Sequence, residues 1–103
     1  VVTGATASLR GGAAFAAFAS AKAGQRALAQ SMARLLGPKG VHVAYVVIDG
    51  VIDMPRTREF MANAPKESFL APDAIAETYW QLASQDRSAW TFELDLRPFA
   101  EKW

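Results

Sequence analysis

Val1-Val2-Thr3-Gly4-Ala5-Thr6-Ala7-Ser8-Leu9-Arg10-Gly11-Gly12 opens the chain as an apolar strand running into a glycine-containing loop. Two architectures share that outline. One is the turn that cradles a phosphate, which needs glycines at fixed offsets: for the turn, for backbone approach and for helix packing. After Thr3-Gly4 such a loop wants glycine where Ser8 and Arg10 stand, and Gly11-Gly12 come too late. Arg10 places a long side chain where close packing is required. The other architecture is an inner strand of a parallel sheet, and the downstream sequence decides for it.

A helix is predicted from about Ala14 to Leu36. Ala17, Ala21, Gly24, Leu28, Met32 and Leu35 recur at spacings of three and four, which predicts one packed face. Its small residues permit close approach to a sheet or to another helix. Gly37-Pro38 ends the helix. Val41 to Ile48 is rich in β-branched residues with little alternation, the pattern of a strand covered on both faces. Asp49-Gly50 turns the chain, and Pro55 to about Pro65 is a mixed segment. Pro72-Asp73 starts a second helix whose stripe is Ile75, Tyr79 and Leu82. Trp90, Phe92, Leu94 and Leu96 alternate with polar residues as a last strand, which Pro98 ends. Strand, helix, strand, helix, strand implies right-handed crossovers and an α/β fold with a parallel sheet.

Length and composition narrow the function. A chain of 103 residues with about half of them apolar makes one domain, 1–103, with a core. The net charge of +1 gives no electrostatic case for nucleic acid or an anionic membrane surface. There is no cysteine, which excludes disulfides and thiolate metal sites and is compatible with a cytoplasmic setting. His42 is the single histidine, so neither a histidine metal cluster nor a conventional Ser-His-Asp triad can be assembled in one chain. No apolar run reaches the roughly 20 residues that span a bilayer. Because the first residue already lies in a strand, the chain reads as part of a longer protein.

Phe18-Ala19-Ser20-Ala21-Lys22-Ala23-Gly24 resembles the Tyr-x-x-x-Lys helix of the short-chain dehydrogenase/reductase family. Gly37-Pro38-Lys39-Gly40-Val41-His42-Val43 is similar to that family's helix end and entry to the sixth strand. Asp49-Gly50-Val51-Ile52 matches its Pro-Gly and apolar pair at the nicotinamide. Ala71-Pro72-Asp73-Ala74-Ile75-Ala76 resembles the start of its penultimate helix, and Phe92-Glu93-Leu94-Asp95 its last strand. The resemblance implies the C-terminal part of a Rossmann-like doubly wound sheet, lacking the N-terminal cofactor-binding half. The opening stretch is then the fifth strand, which in the family carries a catalytic serine.

What the resemblance implies for the site is mixed. Lys22 matches the lysine that contacts the nicotinamide ribose and lowers the pKa of a tyrosine. The tyrosine position holds Phe18, without a proton to transfer, and the serine position holds Ala5. The enoyl-reductase tyrosine position, Phe15, is equally empty. Thr6 and Ser8 stand near the serine position but are out of register with it. Gly50 and the backbone of Ile52 remain usable for the cofactor, whereas Asp49 replaces a proline and Met54 a threonine. NAD or NADP is the implied cofactor of a full-length parent, with little or no conventional hydride transfer; the alternative is a non-catalytic scaffold. The resemblance also implies a homo-oligomer through the 14–36 helix and through the last helix and strand. Read without it, Lys22 is a solvated or salt-bridged lysine, Phe15 and Phe18 are packing residues, and His42 is a hydrogen-bonded structural residue on a buried strand. Tyr45 and Tyr79 read as packing residues, and Trp80, Trp90 and Trp103 as interface anchors. The segment from about Met54 to Phe69 is the substrate-selective loop, its mixed charges favouring no substrate class.

Overall fold

The computed structural model describes residues 1–102; Trp103 lies outside them. Strands β1 (Val2–Ala5), β2 (Tyr45–Ile48) and β5 (Glu93–Leu96) form one parallel sheet in the order β1-β2-β5. Gly4 pairs with Val47 across the first ladder, and Val47 with Asp95 across the second. Helix α1 (Ala16–Leu36) links β1 to β2, and α3 (Pro72–Ala83) precedes β5. Between them lie a short pair, β3 (Val51–Ile52) with β4 (Phe69–Leu70), and the short helix α2 (Pro55–Phe60).

The sheet is covered on both faces, as the unalternating apolar run from Val41 implies. Ala44, Val46 and Ile48 pack with Leu70 and Leu82, with Ile75, Tyr79, Leu94 and Leu96 against them. Tyr45 and Val47 point the other way, onto Ala29 of α1. Tyr45 and Val47 are fully buried, so β2 is the spine of the core. The radius of gyration is 15.0 Å, above the roughly 13 Å of a compact domain of this length. Three strands with two helices make a thin core whose outer strands, β1 and β5, have no further strand beside them among the described residues.

Four expectations are corrected. The stripe Ala17, Ala21, Gly24, Leu28, Met32 and Leu35 is exposed; α1 instead turns Ala19, Lys22, Arg26 and Ala29 toward the sheet. Both stripes have helical spacing. The small Ala29 packs, almost fully buried, with the Tyr45 ring under α1. Second, the paired part of the middle strand begins at Tyr45, and Val41–Ala44 is its run-in, with Val41 exposed. His42 therefore lies outside the strand and is only partly buried. It is nevertheless a structural residue: Nε2 is 2.7 Å from the Thr91 carbonyl, and the ring stacks on Trp90 at 4.7 Å. Third, the last strand starts at Glu93, and Phe92 packs on the α1 side while Leu94 and Leu96 pack on the α3 side. The alternation is broken because Phe92 precedes the ladder. Fourth, Trp90 is held within the chain, its indole N–H donating to the Gln85 carbonyl at 3.3 Å; Trp80 is exposed.

Candidate active-site cleft

The cleft opens where the C-terminal ends of β1 and β2 meet the start of α1. A parallel strand end leaves its last residues uncovered by the next crossover, which is where open α/β sheets place ligands. The cavity has a volume of about 940 Å³. Ala5, Phe18, Lys22, Gly50 and Ile52, which the family resemblance singles out from three separate segments, all line it. Phe15, Thr6 and Met54 line it too.

Lys22 is neither freely solvated nor salt-bridged. Its ammonium donates to the Thr3 carbonyl at 3.1 Å and to Gln25 Oε1 at 3.3 Å. An ammonium has three donors, so one is left for a ligand. The Phe18 ring stands one turn earlier, with Nζ 6.0 Å from its centroid. Phe18 is 47% exposed and Phe15 59%, so neither is a core residue; both form the lip of the cleft.

The hydroxyls near Ala5 are already committed. Thr6 donates to Asp49 Oδ1 at 2.5 Å, and Arg97 Nε reaches Oδ2 of the same carboxylate at 3.2 Å. The Thr6 hydroxyl and the Arg97 guanidinium hold the Asp49 carboxyl below the usual carboxylate range. It stays anionic at neutral pH and keeps accepting the Thr6 hydroxyl. Arg97 also pairs with Asp95, tying the ends of β2 and β5 together. Ser8 is buried and turned away from the cleft: Oγ accepts the Ala5 N–H at 2.9 Å and lies 2.7 Å from the Tyr45 hydroxyl. Neither hydroxyl stands in for a serine at Ala5.

No displaced phenol fills the gap. The Tyr45 hydroxyl is buried between Ser8, the Lys22 carbonyl and Gln25. The Tyr79 hydroxyl is 2.7 Å from Thr3 Oγ1, and Tyr79 does not line the cleft. On the far wall the Thr57 hydroxyl donates to the Ile52 carbonyl and accepts the Met54 N–H at 3.0 Å, fixing the turn into α2. Sequence reasoning missed Thr57 and the position of Arg10 on the cleft wall. Arg10 does carry a signal in the sequence, a lone cation beside two glycines. No group of acidic, cysteine or histidine residues suited to a metal ion occurs among the described residues. Nor is any described helix long and apolar enough to cross a membrane.

No family model and no curated protein matches the chain. A solved structure does: a short-chain dehydrogenase from Rhodopseudomonas palustris, 55% identical, with a TM-score of 0.71. The alignment covers 94% of this chain but 36% of that one, so the chain spans about a third of its relative's length. Identity at that level, together with the mixed α/β architecture and its parallel sheet, supports placing the chain with the short-chain dehydrogenases, as a segment of Rossmann-like fold.

Proposed function

We propose that the chain is the C-terminal part of a nicotinamide-dependent short-chain oxidoreductase relative, with conventional hydride transfer between carbonyl and alcohol weak or lost. One observation carries this: Lys22, Ala5, Phe18, Gly50 and Ile52 converge on one cleft. The residues fit the nicotinamide end of NAD or NADP. Lys22 has a free N–H for a ribose hydroxyl. The Ile52 carbonyl, although it accepts Thr57, retains a second lone pair for the carboxamide. The apolar wall suits a flat ring. Gly50 lines the cleft at a position that takes no side chain: its φ is +156°, and a Cβ there would sit 2.7 Å from Pro98 Cδ. The bound nucleotide would supply the hydride. The chain's own residues bind and orient it but offer no acid at Phe18 and no hydroxyl at Ala5, so a water or the substrate must carry the proton. A cytoplasmic location, where nicotinamide nucleotides are available, belongs to the same reading.

Fluorescence titration of the full-length protein with NADH and with NADPH tests the proposal. Saturable binding below millimolar concentration is expected, weakened about tenfold by Lys22→Ala for the loss of a charge-assisted hydrogen bond. No binding of either nucleotide at millimolar concentration would sink it.

A second reading, a non-catalytic scaffold, is favoured by the outer face of α1. Leu28 and Leu35 are 61% and 65% exposed there. Apolar side chains in line on one helix face suit a second copy of the helix, and the flanking alanines and Gly24 allow close approach. We place a homo-oligomer contact on this face, with another on the last helix and strand. Sedimentation velocity should show a dimer or larger species that Leu28→Glu with Leu35→Glu dissociates; a stable wild-type monomer counts against it.

A further inference from the structure

The cleft lining contains two cations, Arg10 and Lys22, and no carboxylate. Lys22 is partly satisfied by Thr3 and Gln25. Arg10 is different. Its guanidinium has no hydrogen bond or ion pair among the described residues, and Asp49, whose charge it senses through space, is taken up by Thr6 and Arg97. Arg10 is fixed at its backbone, where its N–H donates to the Thr6 carbonyl at 3.3 Å. The rest of the wall near it is apolar, with the exposed rings of Phe15 and Phe18 at the lip. An exposed apolar surface ending on one unpaired guanidinium is complementary to an apolar molecule with an anionic head.

We infer that the cleft takes an apolar monocarboxylate, its head on Arg10 and its body against Phe15 and Phe18. This rests on the oxidoreductase reading only in naming that site's substrate class; the binding itself requires no nucleotide. A planar carboxylate can take two parallel hydrogen bonds from a guanidinium, a geometry a lysine cannot supply. A single guanidinium matches one negative charge. A phosphate dianion would want further donors, and Lys22 has one N–H left.

The test is calorimetric titration of the protein, without nucleotide, with decanoate, decanol and decyltrimethylammonium. Decanoate should bind about tenfold tighter than decanol, the lower end for a charge-assisted bond given the exposure of Arg10. The decyl cation should bind more weakly than decanol. Arg10→Gln should bring decanoate to within about twofold of decanol while leaving decanol unchanged, which an unfolded variant would not do. Lys22→Gln should preserve the preference. Equal binding of decanoate and decanol overturns the inference, as does a preference that survives Arg10→Gln or is lost in Lys22→Gln. Displacement of decanoate by millimolar inorganic phosphate would reassign Arg10 to a phosphate and overturn it too. Because no nucleotide is present, these outcomes stand whatever the NADH titration gives.

Discussion

Gly4→Ala is expected to destabilise the chain by about 3 kcal/mol, the upper end for a methyl group forced into a packed interior. A Cβ at Gly4 would lie 2.3 Å from Tyr45 Cε1 and 2.5 Å from the hydroxyl oxygen. The ring has nowhere to go. Tyr45 is fully buried between the sheet and α1, and its hydroxyl is 2.7 Å from Ser8 and 3.3 Å from both Gln25 Oε1 and the Lys22 carbonyl. Swinging the ring aside would break that set and strand buried polar groups. Shifting the backbone instead would open the ladder in which Gly4 pairs with Val47. Urea unfolding of the four proteins in the cycle Gly4→Ala, Tyr45→Leu measures the effect. With the ring gone, Gly4→Ala should be nearly neutral, since alanine also restricts the unfolded chain. A coupling energy of about 3 kcal/mol is expected between the two sites, the whole cost of the substitution. A Gly4→Ala protein within 0.5 kcal/mol of wild type, on the scale of a harmless surface change, would show that the ring is not fixed.

That Gly4 serves Tyr45 was not legible in the sequence. Thr3-Gly4 invited a phosphate loop, and only the parallel register shows that the glycine makes room for a ring 41 positions downstream. Local patterns carried the order of elements, because β-branched runs, Gly-Pro stops and Pro-Asp starts act over a few residues. They failed where two answers share one period. On α1, the leucine stripe and the Ala19, Lys22, Arg26, Ala29 stripe both repeat at helical spacing. The choice falls to the sheet: Arg26 forms a bidentate pair with Glu93 of β5, at 2.6 and 3.0 Å, and Ala29 fits over Tyr45. The positions that line the cleft were legible only through the resemblance to the short-chain dehydrogenase/reductase family, which Phe18-x-x-x-Lys22 and Asp49-Gly50-Val51-Ile52 carry together. The hydroxyl commitments of Thr6 and Ser8 were not, since each depends on a partner from a distant or a turned-away segment.

Phe18→Tyr combined with Ala5→Ser should raise nicotinamide-dependent carbonyl reduction by about 10² to 10⁴, the usual worth of a positioned general acid, with a further gain from a hydrogen-bond donor to the oxyanion. The geometry supports the size of the effect. Phe18 is one turn from Lys22, whose ammonium sits 6.0 Å from the ring centroid. A phenol there would feel a fixed positive charge, which favours the phenolate and brings its pKa toward the working pH. Ala5 ends β1 beside the same cleft, and its backbone is already anchored by Ser8. The position is therefore held before any hydroxyl is added. The two substitutions act on one transition state, so their effects should not add independently. Ala5→Ser alone should change little, because without an acid the oxyanion must still find a proton. Phe18→Tyr alone should recover most of the gain. Adding Lys22→Ala to the double variant should remove most of it again, whereas a merely structural lysine would leave the rate and lower only stability. The assay follows loss of reduced-nicotinamide absorbance by the full-length protein with a panel of ketones and aldehydes. Wild-type turnover that already matches the double variant and is abolished by Lys22→Ala would refute the scaffold reading, leaving a water or the substrate as proton source. Turnover in the double variant alone would identify Phe18 and Ala5 as the two positions at which conventional chemistry is missing.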